Sequence, residues 1–375
     1  MAGIYIHIPF CHSKCYYCDF YSRPCRPDGT AAHADYIGAL AAEWNSRRDE
    51  LTEPVHTIYI GGGTPSIVAP ELFRPLLDVL PVEGVEEFTI EANPEDVTPQ
   101  WAEAIRSLGI NRVSMGAQSM IDSELKAVGR RHTAADTLKA YDTLRRSGFE
   151  NISLDLIYGL PGQTLETWRQ SLDTLLELRP EHLSAYSLTY EEGTRMNAMR
   201  LAGKVTPASD SLTEEMYHLL CERTASAGYS HYEISNFALP GKHARHNSSY
   251  WDFTPYLGLG VAAHSFDGVG TRRVNPPDIA AYISAMRAGE IFFTTEKETP
   301  TDLYNDYVIT HLRTLHGIDP AALELRFGAA LARRFNNDIA PHAVVGLIEL
   351  NQGRWRIAPA AWLVSDAILR DLIII

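Results

Sequence analysis

The 375-residue sequence is poor in basic residues and in cysteine, and it contains no long apolar run. Lys and Arg total 33 against 47 Asp and Glu, which gives a formal charge of −14. Proteins that hold nucleic acid through its phosphates are usually basic, so we expect no nucleic-acid partner. No apolar run approaches the roughly 20 residues that span a bilayer, and the first residues do not read as a signal peptide. We therefore expect a cytoplasmic protein.

Three of the five cysteines fall close together near the start of the sequence. Cys11, Cys15 and Cys18 have the spacing C-x3-C-x2-C, directly after an alternating apolar segment, while Cys25 and Cys221 stand apart. This distribution argues against a disulfide framework. We expect Cys25 and Cys221 to act as small buried apolar residues.

Segments typical of β-strands alternate with segments of helical periodicity over residues 1–200. The strand-like segments begin at Gly3, His56, Glu87, Arg112, Asn151 and His182. Such alternation predicts βαβ units and a parallel sheet, and six units predict an open barrel instead of the closed eightfold one. We therefore expect an α/β fold that begins with a partial (β/α)6 barrel.

The pattern changes after residue 200, and a chain of this length is expected to hold two domains. Residues 201–275 contain a helical segment and a stretch rich in His, Tyr and Gly, which we expect to connect the two domains. Residues 276–375 predict a smaller, mainly helical domain, with a β-hairpin at NQGRWRIA that suggests a winged-helix-like end. The acidic composition favours packing or docking over DNA binding for this domain.

Three closely spaced cysteines leave two kinds of metal site open. Structural zinc takes four ligands, and His7 or His12 could complete such a set. Iron–sulfur clusters are usually held by four thiolates, so a [4Fe–4S] cluster held by three has one iron that can bind a small molecule. We favour the cluster, because no second Cys or His pair of suitable spacing follows closely.

Polar residues stand at the carboxyl ends of the predicted strands, where parallel α/β barrels carry their chemistry. They are the GGGTPS run from Gly61, then Glu91, Gln118 and Asp155, and finally Tyr186, Ser187 and Thr189. Polar groups from several buried strands on one rim predict a ligand site. The glycine run lacks the Lys of a phosphate-binding loop, and GLGVAA from Gly258 opens no βαβ unit, so neither predicts that kind of nucleotide site.

The cysteine motif, with Tyr16 and Tyr17 before its last cysteine, resembles the radical S-adenosylmethionine (SAM) superfamily. The segments YIHIPFC, GGGTPS, IEANP, SMGAQS, GRRHT, DLIYGLPGQT and AYSLTYEEGT extend the resemblance, over nearly the whole chain, to the oxygen-independent coproporphyrinogen III oxidase group. The resemblance implies that Cys11, Cys15 and Cys18 hold a [4Fe–4S] cluster whose free iron binds the amino and carboxylate groups of SAM. The SAM-binding residues that it implies are Tyr5, Tyr17, Gly62, Gly63, Thr64, Glu91, Gln118, Arg130 and Asp155, with Tyr5 beside the cluster.

Two departures separate the sequence from the oxidases themselves. The oxidase pattern has a further cysteine two positions after the third, where this chain has Phe20, and it has a longer segment before the first cysteine. Both departures place the sequence nearer to the HemW-type haem chaperones, which resemble the oxidases but are thought to bind haem and deliver it to client haem proteins. No catalytic residue is assigned under this interpretation. Radical decarboxylation of coproporphyrinogen III is the alternative.

The chaperone resemblance also implies partners and a haem site. The partners are client haem proteins and an electron donor for the cluster, and a homodimer and peripheral contact with membrane-bound clients stay open. The stretch HARHNSSYWDF carries an H-N-x-x-Y-W motif that is associated with the chaperone group. Its candidates for haem contact are His246, Asn247, Tyr250 and Trp251, with His231, His243 and His264 as rival iron ligands and Lys242 and Arg245 as partners of the propionates. Imidazole ligates haem iron, but His246 could equally fix a turn through hydrogen bonds.

Overall fold

The computed structural model describes residues 1–25 and 29–375 of the chain. The strands are β1 (Ala2–Ile8), β2 (Val55–Gly62), β3 (Glu87–Ala92), β4 (Arg112–Gln118), β5 (Ile152–Tyr158), β6 (His182–Ser187), β7 (Ser230–Glu233), β8 (Asn236–Ala238), β9 (Tyr256–Leu259), β10 (His264–Phe266), β11 (Thr271–Val274), β12 (Thr294–Lys297), β13 (Ile348–Asn351) and β14 (Arg354–Ile357). Two further strands of two residues each, Phe10–Cys11 and Arg23–Pro24, form a separate parallel pair.

Helices cover the strands and make up most of the C-terminal part. They are α1 (Thr30–Arg47), α2 (Arg74–Leu77), α3 (Pro99–Ser107), α4 (Asp122–Ala127), α5 (Ala134–Arg146), α6 (Leu165–Leu178), α7 (Arg195–Leu201), α8 (Asp210–Ser226), α9 (Arg245–Ser249), α10 (Ile279–Ala288), α11 (Pro300–Leu312), α12 (Pro320–Val344) and α13 (Ser365–Leu372). Helix α12 is bent at Gly328, whose φ of 83° lies outside the helical region. In the described part of the chain, no helix combines the length and the apolar composition needed to cross a bilayer.

Strands β1 to β6 lie side by side in chain order and run parallel, as the sequence predicts. Beyond β1, the sheet continues with β9, which is parallel to β1, and then with β10, β11 and β12 in antiparallel order. Beyond β6, it continues with the antiparallel strands β8 and β7. The parallel centre and the helical C-terminal part confirm the predicted α/β fold, but the sheet has 12 strands where the sequence patterns indicate six.

Side-chain alternation along the strands separates a hydrophobic core from a polar barrel interior. In β1, Ile4, Ile6 and Ile8 are fully buried in the hydrophobic core, whereas Tyr5 and His7 lie on the opposite face and hydrogen bond to each other. The helices that cover the core begin at defined caps: Thr133 starts α5 and Thr164 starts α6, each in a capping box. The motifs GRRHT and DLIYGLPGQT thus end on helix caps.

A buried charged network joins α1 to the part of the sheet that the sequence did not predict. The carboxylate of Glu43 accepts hydrogen bonds from Arg47, the Gly260 backbone, Asn275 and Tyr282, at 2.7–2.8 Å. Glu43 is only 1% exposed, so water cannot stabilise its charge, and these partners inside the protein do so instead. This network fixes the segment after β9 against the first helix of the barrel.

The C-terminal part is attached to the other edge of the sheet. The backbone N–H of Leu315 donates to the Tyr232 carbonyl in β7, and Trp362 is buried with its ring centroid 4.2 Å from that of His231. The predicted hairpin is present as β13 and β14, paired from Ile348 with Ile357 onwards.

Candidate cofactor site

A cavity of about 480 Å³ lies at the carboxyl ends of β1 to β6 and extends into the barrel. The predicted site residues that line it are Cys11, Cys15, Tyr17, Cys18, Gly62, Gly63, Thr64, Glu91, Gln118, Arg130, Asp155, Tyr186, Ser187, Thr189 and Asn247. Tyr5, His246, Tyr250 and Trp251 are not among its lining residues. The fold therefore brings most of the predicted cluster and SAM residues together and leaves most of the haem candidates outside.

The three thiols of the cysteine motif share one wall of this cavity. Cys11 is buried, Cys15 and Cys18 are half-buried, and all three are free thiols. Burial raises the pKa of Cys11, and it raises the pKa of Cys18 to about 11. The Cys18 thiol is therefore expected to be protonated at neutral pH without a metal, whereas coordination to a metal ionises a thiol. The donor set therefore fits a thiolate-bound iron–sulfur group.

A single zinc ion would need ligands that converge on one point. In the described part of the chain, no three His, Cys, Asp or Glu side chains are arranged to hold a single metal ion. His7 is also occupied, because one ring nitrogen lies 3.1 Å from the Tyr5 hydroxyl and the other lies 2.9 Å from the Tyr21 carbonyl. A cubane distributes its ligands over separate irons, so its thiolates need not converge on one point.

The glycine run packs directly against the cysteine loop. A Cβ on Gly63 would lie 2.6 Å from the Phe10 carbonyl oxygen and 3.0 Å from the Cys11 Sγ, and the Gly63 N–H donates to the Ile8 carbonyl. Gly62 has a φ of 110°, and a Cβ there would lie 2.7 Å from the His7 ring. Glycine is thus required here for contact between two parts of the protein, in addition to any close approach of a ligand.

Arg130 connects the cysteine loop to the ends of two strands. Its Nη2 donates to the Asn93 side chain at 2.8 Å and to the Gly116 carbonyl at 2.7 Å, and its Nη1 lies 3.7 Å from the Cys15 Sγ. These contacts hold a positive charge in the cavity wall beside the predicted cluster. A carboxylate ligand such as the methionyl group of SAM could pair with it.

Two carboxylates give the interior of the cavity its acidic character. Glu91 accepts hydrogen bonds from the Tyr59 hydroxyl at 2.8 Å and from the Gly62 N–H at 3.0 Å. Burial, to which the nearby Asp155 adds, raises the pKa of Glu91 to about 7. Burial also raises the pKa of Asp155, although the Ser114 hydroxyl donates to this carboxylate at 3.3 Å.

Two further predicted residues show how the strand ends are shaped. Gln118 ends β4 with a φ of 64°, a left-handed conformation that non-glycine residues rarely adopt outside functional sites and turns.

Of the two tyrosines in the cysteine motif, Tyr17 lines the cavity, whereas Tyr16 packs outside it under the Arg195 guanidinium. Tyr5 stacks on Tyr59 with ring centroids 6.2 Å apart, so it lies behind a cavity residue.

Among the cavity residues that sequence reasoning missed, three hydrogen bond to predicted ones. Asn93 bonds Arg130, Tyr59 bonds Glu91, and Ser114 bonds Asp155. The alternation of side chains along a strand could have indicated two of them. Tyr59 lies on the same face of its strand as Gly61, and Ser114 lies on the same face as Gln118.

The H-N-x-x-Y-W motif lies mostly beneath the cavity, in α9 and just after it. His246 is fully buried, and its ring nitrogens lie 2.9 Å from the Thr57 hydroxyl and 2.9 Å from the Tyr250 hydroxyl. Burial lowers the pKa of His246 to about 3. Tyr250 is 38% exposed and Trp251 is half-buried. In this arrangement neither nitrogen of His246 is open to a haem iron.

The rival histidines differ in exposure. His231 is half-buried and stacks on Phe237 with ring centroids 4.0 Å apart. His243 is exposed and stacks on Tyr232 at 4.1 Å, and His264 is exposed on β10. The predicted propionate partners are also accessible: Arg245 is exposed and paired with Glu86, and Lys242 reaches a backbone carbonyl.

Comparison with known proteins identifies the family. The sequence profile of the radical SAM superfamily matches residues 5–175, and that of the HemN C-terminal domain matches residues 299–364. The chain is 34% identical over 357 residues to the heme chaperone HemW of Bacillus subtilis, covering 93% of each chain. It is 32% identical over 377 residues to the HemW of Mycobacterium tuberculosis, covering 99% of this chain and 94% of the other. It is 38% identical over 269 residues to the Escherichia coli HemW, covering 70% and 69%.

Among solved structures, the chain resembles the coproporphyrinogen III oxidase HemN of Escherichia coli. The TM-score is 0.84 at 24% sequence identity, over 99% of this chain and 90% of that one. At this identity the likeness shows the fold alone. The HemW relatives match this chain almost from end to end, and they show which group of the superfamily it falls into. The chain belongs to the HemW family of the radical SAM superfamily.

Proposed function

We propose that this protein is a haem carrier that contains a [4Fe–4S] cluster and SAM and delivers haem to client haem proteins. The observation that carries the proposal is the convergence of Cys11, Cys15 and Cys18 with Arg130 and Glu91 on one cavity. It is supported by relatives at 32–38% identity that are named heme chaperones. The three cysteines would hold the cluster, which when bound supplies electrons and a free iron that coordinates SAM.

The residues of the chain would bind and orient SAM beside the cluster. Arg130, fixed by Asn93 and Gly116, would pair with the methionyl carboxylate. Glu91 and Asp155 would accept hydrogen bonds from the ammonium group or from ribose hydroxyls, and Thr64, Gln118 and Tyr17 would complete the wall. We assign none of these residues a catalytic role.

The alternative function is radical decarboxylation of coproporphyrinogen III, and one position bears on it. Phe20, which stands where the oxidase pattern has its further cysteine, lines the mouth of the cavity and is 62% exposed. An exposed aromatic ring offers a flat apolar surface, not a fourth thiol. This difference favours the carrier over the oxidase.

The candidate histidines differ in the contacts and the burial that each would lose on binding haem iron. His246 would have to exchange two hydrogen bonds and leave a buried site, whereas His243 and His264 are already exposed. An electron donor, client haem proteins and a cytoplasmic location complete the proposal. A reducing compartment suits a chain in which Cys11, Cys15, Cys18 and Cys221 are free thiols.

The carrier and the oxidase are distinguished by two assays on the anaerobically reconstituted protein. One titrates haem and follows the Soret band, then adds an apo haem protein as acceptor. The other supplies coproporphyrinogen III, SAM and a reductant and looks for protoporphyrinogen. We expect a stable haem complex, transfer to the acceptor and no porphyrin turnover. Turnover of coproporphyrinogen without a stable haem complex would overturn the proposal.

A further inference from the structure

Asp155 lies at the end of a buried chain of hydrogen bonds that starts outside the cofactor cavity. The Ser153 Oγ lies 2.7 Å from the His182 Nδ1, and the His182 Nε2 lies 2.7 Å from the Tyr232 hydroxyl. Ser153 and His182 are opposite each other on β5 and β6 and are fully buried, and Tyr232 is 6% exposed. At its other end, the Ser153 hydroxyl reaches the Asp155 carboxylate at 3.5 Å.

The direction of these hydrogen bonds follows from the Tyr232 end of the chain. The backbone N–H of Ala244, the residue before α9, donates to the Tyr232 oxygen at 3.2 Å. In the described ranges 1–25 and 29–375, the only other hydrogen bond of this hydroxyl is the one to His182. A buried hydroxyl hydrogen without an acceptor is costly, so Tyr232 donates and the His182 Nε2 accepts.

His182 is therefore held as the tautomer that carries its proton on Nδ1. Burial lowers the pKa of His182 well below its ordinary value, and the positive charge of Arg112 lowers it further, so the ring is neutral and has a single N–H. Because Nε2 accepts from Tyr232, this N–H is on Nδ1 and donates to the Ser153 oxygen. The Ser153 hydroxyl is then left to donate to Asp155, and all donors of the chain point toward the carboxylate.

The carboxylate that receives this chain faces the cofactor cavity. Asp155 lines the cavity wall, and the Ser114 hydroxyl donates to it as well, at 3.3 Å. Hydrogen bonds that the protein donates to a carboxylate favour its ionised form, which can only accept. The opposite tautomer of His182 would accept from Ser153 and withdraw one of these hydrogen bonds.

We infer that His182 is a positioning residue of the cofactor site. Its Nδ1–H tautomer directs the Ser153 hydroxyl to Asp155 and so holds that carboxylate as a hydrogen-bond acceptor for SAM. The inference rests on the proposed function, in which Asp155 accepts hydrogen bonds from the bound ligand. Because the chain begins at Ala244, it also joins the start of α9 to the wall of the cavity.

The tautomer is measured directly by ¹⁵N nuclear magnetic resonance of the anaerobically reconstituted protein with labelled histidine. The His182 signal is identified by its loss in His182→Asn or by its shift in Tyr232→Phe, so the failure of one variant to fold leaves the other. We expect a neutral ring with its proton on Nδ1. A proton on Nε2, or a charged ring, would overturn the inference.

SAM affinity, measured by calorimetry with iron content as the parallel readout, tests the link to the cofactor. Ser153→Ala removes the last donor of the chain and should weaken SAM binding about fivefold at full iron content. Ser153→Thr keeps the hydroxyl and should restore the affinity. Ser365→Ala also deletes a buried hydroxyl, but from α13, and should change neither readout.

Tyr232→Phe changes a residue that is not among those lining the cavity, and it should weaken SAM binding about twofold by releasing the His182 tautomer. Equal SAM affinity for Ser153→Ala, Tyr232→Phe and the unmodified protein would overturn the inference and leave the proposed function standing. Absence of SAM binding by the unmodified, cluster-loaded protein would overturn both.

Discussion

The guanidinium of Arg130 lies 3.7 Å from the Cys15 Sγ and is held there by hydrogen bonds to Asn93 and to the Gly116 carbonyl. The cysteine loop is thus linked to the ends of β3 and β4, which carry Glu91 and Gln118. A cluster bound to Cys15 would share one positively charged neighbour with the carboxylate of SAM.

Replacing Arg130 with Met should weaken SAM binding without removing the cluster. The change leaves the three thiols in place but deletes a charge-assisted contact with the carboxylate of SAM, which is worth about 2 kcal/mol, equivalent to roughly a 30-fold loss of affinity. Calorimetric titration with SAM measures the change, with iron content as the check on the cluster. Arg131→Met is a matched control, because Arg131 is adjacent but exposed. Equal losses in the two variants would contradict the role assigned to Arg130.

Gly63→Ala should displace the cysteine loop and lower cluster content. The added Cβ would lie 2.6 Å from the Phe10 carbonyl oxygen, a backbone atom that can move only with the loop itself. Iron and sulfide per chain, together with visible absorption after reconstitution, measure the effect. Gly38→Ala is the control, because a Cβ there meets nothing within 4 Å, and in the interior of α1 it should stabilise the protein by about 0.5–1 kcal/mol. Full cluster content in Gly63→Ala would refute the packing argument.

SAM affinity should rise with pH through the titration of Glu91. Burial raises the pKa of this carboxyl to about 7, so the ionised form that accepts hydrogen bonds grows from a minor to the major fraction between about pH 6 and pH 8. We expect affinity to increase about tenfold over this range. The Glu91→Gln variant should bind weakly with a flat profile. A rise of the same size in Glu91→Gln would assign the pH dependence to another group.

The same pKa shift predicts the opposite trend for folding of the ligand-free protein. Between the ordinary pKa of 4.5 and the folded value near 7, the folded state binds more protons at Glu91 than the unfolded state does. The contribution of Glu91 to the free energy of unfolding therefore falls as pH rises through this window. Urea unfolding at several pH values, compared with Glu91→Gln, measures that contribution. A contribution that grows with pH would contradict the burial argument.

Glu43→Gln should destabilise the fold. The substitution breaks a buried network that includes Arg47 and Tyr282. The guanidinium of Arg47 then loses one of the carboxylates that balance its charge. Breaking a buried ion pair typically costs about 3–5 kcal/mol of the free energy of unfolding. Denaturant unfolding measures the loss. Glu103→Gln, at an exposed position on α3, should stay within about 0.5 kcal/mol of the unmodified protein.

Strands β1 to β6 could be predicted because each is a buried run next to a helix of clear periodicity, as in β1 and α1. The strands β7 to β12 could not, because they have only three or four residues, and two of them, β8 and β9, join the central sheet through residues that are distant in the chain. Tyr256 lies opposite Gly3, more than two hundred residues earlier in the chain. Short strands of this kind are stabilised by tertiary contacts, such as those of Glu43, which leave no local pattern.

The residues of the candidate site also fall into those that the sequence could predict and those that it could not. The residues of the cysteine loop and the strand ends could be placed together, because parallel strands bring their carboxyl ends to one edge. The orientation of α9 could not be foreseen, since it depends on Thr57 and Glu87 from distant strands. His246 and Asn247 are adjacent in sequence, yet one is engaged by the protein and the other lines the cavity.

The most direct test of this account is the metal content and the electron paramagnetic resonance of the anaerobically reconstituted protein, before and after addition of SAM. The account predicts about four iron and four sulfide per chain, loss of both in Cys15→Ala but not in Cys221→Ala, and a changed spectrum of the reduced cluster with SAM. Tightly bound zinc in place of iron, or a spectrum that SAM leaves unchanged, would contradict it.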